Sequence, residues 1–324
     1  MPKKVQCELC PTECVLEDYQ TGGCRVRINK GGVLYSLVYG KPCAVAVDPI
    51  EKKPFFHFLP ASSAFSIATA GCVLGCKFCQ NWQISQAKPE ETDNKDLMPD
   101  EVVRQAVFYD CRTITYTYTE PAVFYEYMYD TAVIAKKFGL KNAMHTCGYI
   151  NEKPLKELTK YMDAADVDLK AFTEDFYSRI CGGRLKPVLE ALVLLKEQGV
   201  WLEITNLVIP TLNDDMKKIK EMCKWIAENL GTDVPLHFSR FFPYYKLKDL
   251  PPTPLETLKD ARNAAMDAGL KYVYLGNLRS EAENTYCPGC RKLLIERIGY
   301  NVRQNNIKDA KCIFCKTVIS GVWS

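Results

Sequence analysis

The run Gly71-Cys72-Val73-Leu74-Gly75-Cys76-Lys77-Phe78-Cys79-Gln80-Asn81-Trp82 sets three thiols in a CxxxCxxC spacing. A cubane [4Fe–4S] cluster normally takes four thiolates. The nearest other cysteines, Cys43 and Cys111, stand 29 and 32 residues away. Three local ligands leave one iron open, and an open coordination position separates a catalytic metal site from a closed structural one. The alternative is a ferredoxin-like or zinc site completed by a distant cysteine. A strand expected just upstream, Gly71, and the aromatic Phe78 before the last cysteine favour the open site. Cys72, Cys76 and Cys79 are therefore the catalytic candidates.

Two further cysteine groups flank this loop. Cys287-Pro288-Gly289-Cys290 and Cys312-Ile313-Phe314-Cys315 are two CxxC knuckles 21 residues apart, the spacing of a zinc ribbon. A closed tetrahedral Zn site there would supply folding free energy to a tail too short to make its own core; a rubredoxin-type iron site would use the same ligands. Near the start, Cys7, Cys10, Cys14 and Cys24 offer four more thiolates, which suit either Zn or an auxiliary iron–sulfur cluster, or simply pack. Eleven of the sixteen cysteines are then ligands, leaving Cys43, Cys111, Cys147, Cys181 and Cys223 as packing residues.

Around these groups the 324 residues are 47% hydrophobic, enough to fill a barrel-sized core, which excludes a disordered or fibrous chain. The 42 basic and 39 acidic side chains are too balanced to advertise a nucleic-acid or membrane surface. The first residues lack the apolar stretch of a signal peptide, and no run reaches the ~18 apolar residues of a membrane span. Clustered cysteines in a chain of this length point to metal ligation in a reducing cytoplasm rather than to disulfides.

The elements that must position the thiols are legible in outline. Residues 1–60 read as a Cys-rich β module, with Gly22-Gly23 and Gly31-Gly32 as turns and Val33–Tyr39 as a β-type run. Residues 61–284 alternate short β-branched or aromatic runs with segments of helical period, the pattern of βα units around a parallel sheet. The expected strands are Phe65–Thr69, Thr113–Tyr118, Asn142–Thr146, Ala165–Leu169, Leu202–Ile209, Leu236–Phe241 and Tyr272–Leu275. Six or seven such units predict an α/β partial barrel. Pro99 and Asp100 open one helix; Gly139 and Gly269 close two others. Residues 285–324 form the zinc-ribbon-like tail.

In such sheets the chemistry gathers at the carboxyl ends of the strands, which selects the remaining candidates. Glu120 ends the second unit; it can receive an ammonium group or serve as a helix N-terminal carboxylate. His145-Thr146-Cys147-Gly148 ends the third. Asp168 and Lys170 share one face at the end of the fourth, as partners of a ligand or of each other. Asn206 and His237 are strand-borne polar groups, ligands or satisfied core residues; His237 is one of only three histidines.

At its central loop the sequence resembles the radical S-adenosylmethionine (SAM) superfamily, whose signature is CxxxCxxC with an aromatic before the third cysteine. The resemblance implies that the open iron chelates the methionine end of SAM and that reductive cleavage releases a 5′-deoxyadenosyl radical that abstracts hydrogen. It also implies SAM contacts for Phe78, Gln80, Glu120, Thr146, Cys147, Gly148, Asp168, Asn206 and His237. Where relatives have Gly-Gly-Glu this chain has Tyr118-Thr119-Glu120, and Cys147 replaces an Asn in a Thr-Asn-Gly turn. Phe242-Pro243-Tyr244-Tyr245 resembles the Leu-Pro-Tyr-His exit of pyruvate formate-lyase activating enzymes, with Tyr245 in place of their His.

Over nearly its whole length the chain resembles the radical SAM protein of the AmmeMemoRadiSam system. The likeness includes Cys7-Glu8-Leu9-Cys10-Pro11, Val38-Tyr39-Gly40-Lys41-Pro42-Cys43, Asp48-Pro49-Ile50-Glu51-Lys52-Lys53-Pro54, Leu275-Gly276-Asn277 and Gly321-Val322-Trp323. The family implies association with AMMECR-type and Memo-type proteins, and its chemistry requires an electron donor such as ferredoxin or flavodoxin. The competing functions are a glycyl-radical activase, against which Tyr245 and the extra cysteine modules stand, and an electron-transfer iron–sulfur protein, which would need every cluster fully ligated. A zinc-ribbon nucleic-acid module would need a basic face, and the tail's basic residues read more simply as a solvated surface.

Overall fold

The computed structural model describes residues 3–324. Its frame is one eight-stranded sheet whose spatial order follows the chain. β1 (Ala44–Pro49) pairs antiparallel with β2 (Ser63–Ala68). From there β3 (Thr113–Tyr116), β4 (Lys141–Thr146), β5 (Ala164–Asp168), β6 (Trp201–Val208), β7 (Leu236–Arg240) and β8 (Val273–Gly276) each add in parallel. β1 and β8 lie at opposite ends of the order and do not pair, so the barrel is partial. All seven expected strands are present in parallel array, each shifted by no more than two residues at either end. They read as near-continuous apolar runs because a parallel strand is buried on both faces; β3 is buried at every position.

Six helices make the crossovers: α1 (Pro99–Phe108), α2 (Tyr125–Lys137), α3 (Glu152–Thr159), α4 (Leu185–Glu197), α5 (Met216–Asn229) and α6 (Leu255–Asp267). Pro99 begins α1, where its missing N–H costs nothing. Gly139 (φ 75°) and Gly269 (φ 92°) follow α2 and α6 in the left-handed conformation that ends a helix. There Leu140 N–H donates to Ala135 O at 3.0 Å and Leu270 N–H to Ala265 O at 3.1 Å. Inward faces of helices and sheet merge into one apolar core running from Cys10 to Leu275.

β1 corrects one expectation. Residues given to the N-terminal module supply the edge strand of the main sheet, and a boundary at residue 60 falls inside the β1–β2 hairpin. What precedes β1 is a pair of small hairpins, Val5–Gln6 with Val15–Leu16 and Arg27–Lys30 with Val33–Ser36. Gly31 (φ 65°) and Gly32 (φ 88°) turn the second, and Gly32 N–H donates to Asn29 Oδ1 at 2.8 Å.

The tail is a three-stranded antiparallel sheet, Thr285–Tyr286, Leu293–Ile298 and Asn301–Asn305, followed by a short hairpin over Ile307–Cys312. It shares a core with the barrel: Leu294, Ile295 and Ile319 pack with Phe56, Tyr272 and Tyr274. Arg297 is 3% exposed; its guanidinium lies 4.1 Å from the Phe56 ring and donates to Phe56 O at 2.7 Å. The last segment then clasps the β1–β2 connection. Val322 N–H donates to His57 O and Leu59 N–H to Val322 O, both at 2.7 Å, and His57 Nδ1 meets Ser320 O at 2.7 Å. No helix among the described residues is long and apolar enough to cross a membrane.

Candidate active site

The loop after β2 carries Cys72, Cys76 and Cys79 at the carboxyl edge of the sheet, beside a cavity of about 390 Å³. That volume falls within the range of small-molecule sites. All three cysteines line it, with Phe78 and Gln80. Four contacts shape the loop. Gly75 N–H donates to Cys181 O at 2.8 Å and Lys77 N–H to Ile180 O at 3.0 Å, so a single π-helical turn at Tyr177–Cys181 carries one side. Asn81 Nδ2 donates to Tyr118 O at 2.8 Å, tying it to the loop after β3. Ser85 Oγ lies 3.2 Å from Cys79 Sγ. Cys76 is buried and Cys72 and Cys79 half-buried: burial, with the Glu120 carboxylate next, pushes Cys72 up, and contact with Cys181, with burial, pushes Cys76 well up. Cys181, expected as packing only, in fact touches the cluster loop.

Glu120 follows β3 and is 4% exposed. Its Oε1 accepts from Thr146 Oγ1 at 2.6 Å and from Ala122 N–H at 3.3 Å; its Oε2 accepts from Cys147 N–H at 2.7 Å. Glu120, Thr146 and Cys147 line the same cavity, so the carboxylate both braces the turn after β4 and presents its charge to the cavity. Gly148 does not line it. With φ 66° it completes that turn, and a Cβ there would come within 3.1 Å of Val167 Cγ1.

The departure from a glycine pair is absorbed by Tyr118, which adopts φ 66° despite its side chain. The ring compensates: its hydroxyl bonds Asp48, and Lys53 Nζ stands 4.0 Å from its centroid. Lys53 is 2% exposed and pairs with Asp48 Oδ2 at 2.6 Å. Burial lowers Lys53 to about 8, with Asp48 acting in opposition.

A second charged group closes the cavity. Asp168 Oδ2 accepts from Lys170 Nζ at 2.8 Å and lies 3.5 Å from His145 Nε2, while His145 Nδ1 meets Asp166 Oδ2 at 2.5 Å. Thr205 Oγ1 adds a bond to Asp166 at 3.0 Å. Burial alone would lower His145; Asp168 and then Asp166 outweigh it and raise it to about 10. Asp168 therefore serves its neighbours and the cavity at once.

Besides Gly148, two expected contacts are corrected. The side chain of Asn206 turns to the helix layer, where Nδ2 donates to Leu169 O at 2.6 Å, because alternate residues of a strand face opposite ways; its neighbours Thr205 and Leu207 line the cavity instead. His237 bonds Glu203 Oε2 at 2.7 Å and packs edge-on to Phe56, bordering an adjoining cavity under the tail rather than the cysteine loop. Residues at the site beyond the expected candidates include Lys53, Asn277 and Tyr300. The Lys52-Lys53 pair was a signal for the first; nothing local marks Tyr300, which arrives from the tail. Tyr245 stacks on Trp82 at 5.0 Å and does not line the cavity.

At the far end, Cys287, Cys290, Cys312 and Cys315 bring their sulfur atoms within 4.8 Å of one another. Cys287–Cys315 is 3.5 Å and Cys290–Cys312 3.8 Å.

A parallel βα sheet that opens a three-cysteine loop onto a ligand-sized cavity beside a buried carboxylate defines an enzyme of the radical SAM class. The chain belongs to the Radical SAM superfamily, whose family profile matches residues 66–225. It is 48% identical over 315 residues to the uncharacterized protein MJ0808 of Methanocaldococcus jannaschii, covering 96% of this chain and 94% of that one. It is 25% identical over 195 residues to the pyruvate formate-lyase-activating enzyme of Clostridium pasteurianum, covering 56% of this chain and 80% of that one. In fold it resembles a radical SAM methyltransferase from Sphaerobacter thermophilus, with TM-score 0.53, 16% identity and coverage of 73% and 71%.

The superfamily implies a [4Fe–4S] cluster and SAM. The donor set fits: three thiols on one loop suit iron, and the adjacent cavity carries a buried carboxylate for an ammonium group.

Proposed function

We propose that the protein cleaves SAM reductively at a [4Fe–4S] cluster held by Cys72, Cys76 and Cys79 and uses the resulting 5′-deoxyadenosyl radical to abstract hydrogen from a carbon centre. The cluster and SAM supply the radical chemistry; the chain supplies position and dryness. The observation that carries this reading is the CxxxCxxC loop at the carboxyl edge of β2, with Glu120 across the same cavity. Glu120 receives the ammonium of SAM. Thr146 and the Cys147 N–H hold that carboxylate in place. Lys53, Lys170 and His145 line the same cavity, each paired with an aspartate, and offer donors to a polar group of SAM or substrate.

The C-terminal quartet holds zinc, because its sulfur spacing matches the ~3.8 Å edge of a tetrahedron with metal–sulfur bonds near 2.3 Å. A ferredoxin or flavodoxin supplies the electron, in a reducing compartment that suits sixteen free cysteines. The resemblance to the AmmeMemoRadiSam system makes AMMECR-type and Memo-type proteins the partners to test. Glycyl-radical activation is the second reading, favoured by the similarity to pyruvate formate-lyase activating enzymes.

The test is anaerobic reconstitution followed by EPR with and without SAM and assay of 5′-deoxyadenosine. The wild-type spectrum changes on adding SAM and the reduced enzyme forms 5′-deoxyadenosine. A Cys76→Ala variant that still cleaves SAM at the wild-type rate would overturn the assignment.

A further inference from the structure

Cys7, Cys10, Cys14 and Cys24 lie outside the site described above. Short turns gather them. Cys7 N–H donates to Cys14 O at 2.9 Å, Glu13 N–H to Cys10 O at 3.0 Å and Arg25 N–H to Gly22 O at 2.9 Å. A Cβ at Gly22 would stand 3.7 Å from Cys24 Sγ and 3.8 Å from Cys14 Sγ, so both sulfurs look onto one glycine. Gly22 thus faces the Cys14 and Cys24 sulfurs together, and the Cys7–Cys14 backbone bond sets Cys7 on the same turns. Arg27, 6% exposed, follows on the same turns, where Gly22 N–H donates to its O at 2.8 Å, and its guanidinium is held by both Glu126 oxygens at 2.8 Å.

Spacing distinguishes what such a set can hold. Among the described residues, only the C-terminal quartet has its sulfur atoms all within 4.8 Å of one another. That closeness is what a single tetrahedral ion requires. A cubane carries an iron at each of four corners, each with its own thiolate, and so spreads its ligands wider. Neither the N-terminal quartet nor the Cys72, Cys76 and Cys79 set meets that limit among the described residues.

Its place is equally telling. Cys24 O lies 2.4 Å from the point a Cβ on Gly71 would occupy, so only glycine lets this module touch the residue before Cys72. From Cys24 the chain passes to Arg25, whose Nη2 donates to Gln86 Oε1 at 3.1 Å. Gln86 Nε2 donates to Ser85 Oγ at 3.2 Å, and Ser85 Oγ meets Cys79 Sγ at 3.2 Å. One backbone contact and a short hydrogen-bonded chain join the two thiol sets.

We infer that Cys7, Cys10, Cys14 and Cys24 hold a second [4Fe–4S] cluster that relays electrons from a one-electron protein donor to the Cys72, Cys76 and Cys79 site. The inference rests on that central site holding a cluster of its own. In each transfer the donor loses one electron, the N-terminal cluster gains it and then yields it to the central cluster. The relay ends unchanged, and no bond forms or breaks.

The experiment uses the full chain, reconstituted anaerobically with iron and sulfide. Metal analysis of the wild type is expected to give about eight irons, four from each cubane, and about one zinc. The Cys10→Ser/Cys14→Ser double variant keeps about four irons, its zinc and the SAM-dependent change in EPR. Its 5′-deoxyadenosine formation falls about tenfold or more with reduced flavodoxin as donor, yet stays within about twofold with dithionite. Zinc in place of the second set of irons, an N-terminal quartet without metal, or an unchanged flavodoxin-driven rate would each overturn the relay. The wild-type metal count needs no variant, so a misfolded mutant does not shelter the inference. Failure of the central reading is separate: it appears as iron and SAM response that survive Cys76→Ala.

Discussion

Glu120→Gln removes one charge and one acceptor from a side chain whose bonds are all accounted for. The amide has a single oxygen, and Cys147 N–H at 2.7 Å is the donor it must serve. Its NH2 group then faces Thr146 Oγ1, which can turn from donor to acceptor, and Ala122 N–H, which loses its 3.3 Å partner. Two charge-assisted bonds become neutral ones and a weak third is lost, a destabilisation of about 2 kcal/mol. Thermal unfolding should fall by a few degrees, to be read by calorimetry on the apo chain. SAM loses the charge opposite its ammonium in a site shielded from water, about 1.5–3 kcal/mol, or a Kd roughly 10- to 150-fold weaker. Anaerobic equilibrium dialysis of the reconstituted variant measures that directly, with iron content as the check that the cluster is intact. Thr146→Val is the control, since it loosens the turn while leaving the carboxylate. If Glu120→Gln lowers the melting temperature but binds SAM like the wild type, Glu120 is a brace for the turn after β4 and nothing more.

Cys312→Ser should release one metal ion and open the tail to proteolysis while the SAM-dependent EPR change of the central cluster persists; an ordered, metal-replete tail with lost SAM chelation would place those cysteines in the catalytic site. His145 is held above its ordinary 6.5 at about 10 despite burial. Its ion pairs therefore stabilise the fold in full below pH 6.5 and lose that effect as pH rises through about 10. The melting-temperature gap between wild type and His145→Gln should close over that window, and a gap independent of pH would contradict it. Tyr118→Gly relieves a left-handed tyrosine, worth about 1 kcal/mol, but removes the hydroxyl bond to Asp48 and the ring under Lys53, together about 2 kcal/mol. Denaturant unfolding should show a net loss of about 1 kcal/mol, and a gain would mean that the ring contacts contribute little.

The strands of the sheet were legible because burial on both faces leaves an unbroken apolar signature, and the glycines after α2 and α6 because a left-handed helix end admits few other residues. β1 was not, since Ala44–Pro49 is half exposed and sits in a cysteine-rich context that suggested another module. At the site, the thiol loop and Glu120 followed from spacing and from the rule that ligands gather at the carboxyl ends of strands. Asn206 failed because the rule selects a strand end and not a face: one residue either way reverses the direction of the side chain. Tyr300 lay beyond any local pattern, because it reaches the cavity through tertiary packing of the tail.

The clasp of Val322 and Ser320 on residues 57–59 joins positions as far as 265 residues apart. A nascent chain emerging from the ribosome can close the β2–β8 crossovers one after another, each using sequence neighbours. The connection between β1 and β2, however, keeps His57 and Leu59 without their partners until nearly the whole of the described chain has been made. Contacts of such long range are slow to form. The edge hairpin is therefore expected to be the last part of the sheet to gain protection from hydrogen exchange during refolding, and the part that reopens first.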